Sequence, residues 1–124
     1  MSFNFSDKTY AIEICGKQYF LVAGDVDSLV ALRKLFDQIA EVDKMDKDSL
    51  EFIQAHEPIV RDFLDGIFGE GSYAEIFAGR RVNLSDMMEL VEYVGGELQN
   101  LPLAQGFAEK AADILEVADD KADL

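Results

Sequence analysis

From Lys8 to Val22 apolar and polar residues alternate with a period of two, in KTYAIEICGKQYFLV, and from Leu29 onward the apolar spacing changes to three and four. The first pattern predicts a β-hairpin over residues 8 to 22. With Gly16 and Lys17 as a two-residue loop, Ile14 faces Tyr19 and Ile12 faces Leu21, so one face collects Tyr10, Ile12, Ile14, Tyr19 and Leu21. The other face is mixed, with Glu13, Cys15 and Gln18 beside Phe20 and Val22. An isolated hairpin is marginal in water, so this one is expected to lie on helices or to add to a partner's sheet.

The longer spacing predicts the helices. Asp25 or Asp27 caps a helix with Leu29, Leu32, Leu35, Phe36, Ile39 and Val42 as its apolar stripe. Asp48 and Glu51 read as a capping box for a second helix that carries Leu50, Phe52, Ile53, Ile59, Val60, Phe63, Leu64 and Ile67. Pro58 removes one backbone donor there, yet the stripe continues across it, so a single kinked helix is expected. Gly69 and Gly71 end it at positions that need positive φ or close backbone approach. Ser72 is expected to cap a short helix, Tyr73 to Phe77, which Gly79 ends. Asn83 or Ser85 caps the next helix, with Met87, Met88, Leu90, Val91, Val94 and Leu98 on or near its buried side and a point of fraying at Gly95 and Gly96. A last helix is expected to carry Leu103, Phe107, Ala108, Ala111, Ile114 and Leu115, followed by an acidic, flexible tail, 116–124. The expected fold class is therefore α+β, predominantly helical: an N-terminal hairpin packed on a bundle of four to five helices, one domain over 1–115, about 60% helix.

Charge narrows the function classes. Twenty-five acidic against eleven basic residues leave a formal −14, which repels a phosphate backbone or an anionic membrane, so nucleic-acid and membrane partners are not expected. No apolar run approaches the roughly 20 residues of a span, and the start, MSFNFSDK, lacks the features of a signal peptide, so a cytoplasmic location is expected. With one cysteine, Cys15, and one histidine, His56, neither an internal disulfide, a cysteine zinc site nor a histidine-based triad can be assembled.

The remaining constellations have structural readings. Gly69, Gly71 and Ala74 match the letters of a dinucleotide fingerprint, but that motif needs a strand before its glycines and the residues here have helical periodicity. Asp43, Asp46, Asp48 and Glu51 lack the ligand order of a calcium loop and read as a solvated, helix-capping run. Arg80 and Arg81 form the one local excess of positive charge. They suit an anionic partner group or, structurally, the end of a short helix and ion pairs with Asp62, Asp65 or Glu75. No enzyme, cofactor or metal is expected.

The segments IEICGKQYFL, DSLVALRKLFDQI and FLDGIFGEGSYAEIFAGR leading into LSDMMELVEYV together resemble the tail assembly chaperones of long-tailed bacteriophages, over residues 8 to about 100. These are small acidic proteins encoded between the major tail protein and the tape measure protein in phages and prophages of Gram-positive bacteria. The resemblance implies a non-enzymatic protein of the host cytoplasm, absent from the mature virion. Its implied partners are the tape measure protein, which it would bind and keep soluble, and the major tail (tube) protein, whose subunits it would help recruit. The alternative is a structural tail or head-tail connector protein. The candidate partner-binding residues are Phe20, Val22, Met87, Met88, Arg80 and Arg81, with self-association through hairpin or helix surfaces, because the apolar positions outnumber what one small helical layer buries.

Overall fold

A computed structural model of the chain describes residues 1–102. Its elements, in order, are β1 (Thr9–Ile14), β2 (Lys17–Val22), α1 (Val26–Val42), α2 (Leu50–Phe68), α3 (Ser72–Ile76) and α4 (Leu84–Gln99). The architecture is the expected one: among the described residues an antiparallel two-stranded hairpin lies on four helices, and 56% of those residues are helical. The predicted fifth helix and the tail lie outside the described residues.

The hairpin differs from expectation in its register. Cys15 and Gly16 form the loop, with φ of 51° and 82°, and Ile14 pairs with Lys17, Ile12 with Tyr19 and Tyr10 with Leu21. Positive φ at both central residues is what a type I′ loop requires, and that turn matches the right-handed twist of the strands. The displacement is two residues, a whole side-chain period, so the inward face survives: Ile12, Ile14, Tyr19 and Leu21 are buried. Tyr10 has the same parity but is 43% exposed.

Asp25 caps α1 by accepting from the Ser28 backbone N–H at 3.1 Å and from its hydroxyl at 2.6 Å. The cap of α2 is Ser49, one residue beyond the expected Asp48. Ser49 Oγ accepts from Phe52 N at 3.2 Å, while the backbone N–H of Asp48 is already turned back to the Asp46 carboxylate at 3.0 Å. Helix α2 is continuous through Pro58, and His56 Nδ1 lies 2.7 Å from the Phe52 carbonyl oxygen. Gly69 and Gly71 have φ of 110° and 90°, so the turn between α2 and α3 depends on glycine as the sequence predicts. Ser72 does not cap α3, because it is already the first helical residue; its hydroxyl donates to the Gly69 carbonyl. The free amide of Tyr73 goes instead to Asp65 Oδ1 of α2, at 2.9 Å. Asn83 caps α4, which runs to Gln99 through Gly95 and Gly96 without interruption; Gly95 is buried, so packing outweighs the weak helix propensity of the pair.

One core joins these elements. Leu32 and Leu35 of α1, Val60, Phe63 and Leu64 of α2, and Val94 and Leu98 of α4 are closed to solvent, and the inward hairpin residues belong to the same cluster. Helices α1 and α2 approach closely where Gly66 faces Ala31: a Cβ on Gly66 would lie 3.2 Å from the Ala31 Cβ.

Candidate interaction surface

The hairpin is fixed to the helices by its inner face and by one polar latch. Strand β2 lies against α2, and the Tyr19 ring packs on Phe68 with centroids 5.1 Å apart. The Tyr19 hydroxyl donates to Glu75 Oε1 of α3 at 2.8 Å, and the Lys17 ammonium pairs with the same carboxylate. Burial first, and then the hydrogen bond to a negative acceptor, push the Tyr19 hydroxyl up to about 12. The hydrogen bonds from Lys17 and Tyr19 hold the Glu75 carboxyl below its ordinary value. Pairing Lys17 with Glu75 is possible because the loop ends at Gly16 and leaves Lys17 in β2.

The opposite face of the hairpin is open. Phe20 is 53% and Val22 41% exposed, and they alternate with the buried Tyr19 and Leu21 as the strand period dictates. Both strands present an edge, since the described sheet has no third strand. An exposed edge with apolar side chains beside it can accept an extended segment through its backbone groups.

The other candidate residues are not on this face. Met87 is in the core at 4% exposure, its sulfur 3.8 Å from the Tyr73 hydroxyl, so it offers no surface. Met88 is partly buried against the same core. Arg80 donates to Asp86 at 2.6 Å, rather than to Asp62, Asp65 or Glu75. Asp65 is engaged by the Tyr73 amide, Glu75 by the hairpin, and Asp86 stands in the first turn of α4, next to the Arg80 loop. Arg81 is exposed in that loop and its carbonyl oxygen accepts from Asn83 Nδ2 at 3.4 Å. Between the hairpin loop, α3 and α4 lies a cleft of about 270 Å³ whose lining includes Ile14, Phe77, Leu90 and Tyr93 together with Arg80 and Asp86.

The dinucleotide reading of Gly69 and Gly71 fails on context, since the element before them is the helix α2. Among the described residues no group of three or more His, Cys, Asp or Glu side chains is arranged to hold a metal ion, and no helix is long and apolar enough to cross a membrane. Cys15 is a free, exposed thiol.

Residues 24–117 match the sequence profile of a family of unknown function, DUF6673. The chain belongs to that family. The match begins at Gly24, two residues past the end of β2, so it leaves out the hairpin and takes in every described helix. Comparison with curated proteins and with solved structures finds no match.

Two features of the surface escaped the sequence pattern. The latch among Lys17, Tyr19 and Glu75 joins residues 58 and 56 positions apart and has no local signature. A second apolar strip, Val26 and Val30 on α1, is 71% and 60% exposed. Its signal is legible in retrospect: Val26, Val30, Arg33 and Asp37 recur at helical spacing on a different side of α1 from Leu32 and Leu35.

Proposed function

We propose that this chain is a non-enzymatic tail assembly chaperone of a long-tailed phage or prophage of a Gram-positive host. It binds the tape measure protein in the host cytoplasm, keeps it soluble, helps recruit tail tube subunits around it, and is left out of the mature virion. The observation that carries the reading is the hairpin: one face anchored in the core, the other presenting Phe20 and Val22 beside open strand edges. Such an element gives a partner both backbone hydrogen bonds and apolar contact. The acidic surface supports the same role, because a formal −14 keeps a complex with an apolar partner in solution and favours a basic one. Self-association through the same edges follows from their exposure.

Co-expression with the tape measure protein of the same genome tests this. The expected result is a soluble complex that pulls down through either component, with this chain missing from purified particles. An insoluble, unbound tape measure protein sinks the reading; presence in finished particles would assign the chain to the tail or connector structure instead.

A further inference from the structure

Residues 1–7 precede the hairpin, and among the described residues no backbone–backbone hydrogen bond joins them to the rest of the chain. Phe3 and Phe5 alternate with Ser2, Asn4 and Ser6 in the strand period, and residues 2–6 carry no charged side chain. Both rings are exposed, at 78% and 86%, and meet edge to face with centroids 4.9 Å apart. We propose that residues 2–6 of one copy of this chain add to the β2 edge of a second copy as an antiparallel strand, with Phe5 opposite Phe20 and Phe3 opposite Val22.

Hydrogen-bond parity selects the edge. The Ala23 amide donates to the Lys8 carbonyl at 2.9 Å, so Lys8 and Ala23 are a bonded pair. In this register Thr9, Ala11 and Glu13 of β1, and Gln18, Phe20 and Val22 of β2, turn their backbone groups away from the hairpin's own ladder. On β1 the first of these donors is already engaged, since the Thr9 amide donates to Asp7 Oδ1 at 2.9 Å, and Glu13 adds a negative charge. On β2 only the Val22 carbonyl is engaged, by the Asp25 amide at 3.2 Å, and the strand has no acidic residue. Opposite Phe20, the Phe5 amide and carbonyl meet a free carbonyl and a free amide; opposite Val22, the Phe3 carbonyl meets a free amide. Directly opposed residues share a face of the sheet, so the same register brings both phenylalanines beside Phe20 and Val22. A shift of one would turn them to the other face. The incoming strand lies in the plane of the sheet and widens the outward apolar face without covering it.

The same chain cannot supply this strand to itself. Lys8 is held by Ala23, so Ser6 and Asp7 alone would have to carry the chain round the end of β2, across two strand spacings of about 4.8 Å each, and it would then run parallel to β2. A second copy meets no such limit.

The test uses the full chain alone, so its outcome is separate from that of tape measure binding. Light scattering should give a mass above the monomer that rises with protein concentration and, because two chains of formal −14 repel, with added salt. The double variant Phe3→Lys, Phe5→Lys should be monomeric, and so should Phe20→Lys. Lysine lowers the net negative charge, so lost association cannot come from added repulsion. Mixing the two variants should restore a complex, because one keeps the edge and the other keeps the strand. In the parent the Phe20 amide should exchange at least about tenfold more slowly than in the double variant. That variant changes only exposed side chains ahead of the hairpin, so this readout holds even where Phe20→Lys disturbs β2. A monomeric parent, with or without a protected Phe20 amide, overturns the proposal. So does a double variant that associates as the parent does, or a mixture of folded variants that stays monomeric.

Discussion

Leu64 on α2 and Leu21 on β2 are both sealed from solvent, yet they sit in regions held together by different means. Leu64 belongs to the α1–α2 pair, where Leu32, Leu35, Val60 and Phe63 surround one another and Gly66 lets the backbones close up. Leu21 belongs to a two-stranded sheet with one buried face, a single aromatic contact to Phe68 and a polar latch at Glu75. The helical pair depends on the packing of the inward stripes of α1 and α2, in which Leu32, Val60 and Leu64 are sealed from solvent. The hairpin depends on half of its residues, and the other half faces outward with backbone groups still to satisfy.

The largest effect should come from the helical side. Leu64→Ala opens a cavity in a fully closed site and should cost about 2–5 kcal/mol of global stability, read by urea denaturation. A loss below about 1 kcal/mol would mean that the α1–α2 interface is not where the fold's stability resides. Next is the turn that returns α2 to the hairpin's anchor. Gly71→Val forces a β-branched residue to φ near 90° and should cost on the order of 1–3 kcal/mol; unchanged melting would refute the need for glycine there. The hairpin itself should respond in the favourable direction: Cys15 stands at φ 51°, where asparagine is better tolerated, so Cys15→Asn should stabilise by up to about 1 kcal/mol without altering the helices. A destabilised variant would contradict the type I′ geometry.

The latch gives the smallest effect and the one with a pH signature. The Glu75 carboxyl is held below its ordinary value, so its contribution is present above the unfolded carboxylate range, about pH 4.3, and fades as pH falls through the lower folded value. The Tyr19 hydroxyl is raised to about 12, so its contribution is present below the unfolded value of about 10 and is lost as pH rises through 12. Hydrogen exchange of β1 and β2 amides, corrected for intrinsic rates, should accelerate relative to the helices at both extremes. Glu75→Gln should remove the acid limb, and an unchanged acid limb would show that the latch does not hold the hairpin.

What was legible in the sequence follows the same division. The helices announce themselves because Leu32, Leu35, Phe63 and Leu64 repeat at local spacing, and their caps Asp25 and Asn83 stand next to them. The inward face of the hairpin is equally local, and it is the same for the expected and the observed loop because a shift of two preserves parity. The loop was not legible, since Cys-Gly is not a usual I′ pair and Gly16-Lys17 satisfies a glycine-first turn just as well. Met87 and Met88 are alike by pattern; the step of about 100° between neighbours on α4 puts the first in the core beside Tyr73 and leaves the second at its margin. The pairing of Arg80 with Asp86 and of Glu75 with the hairpin depends on how distant segments fold back, which local spacing does not encode.

We propose that the tape measure protein docks on the outward face of the hairpin. Titrating a soluble tape measure segment against the parent, Phe20→Asp and Val22→Asp, each shown to melt within the small shift expected of an exposed substitution, tests it most directly. The account predicts that at least one variant loses affinity by about thirtyfold or more, the effect of removing a hot-spot contact. Parent-like affinity in both variants, or no measurable binding by the parent, would contradict it.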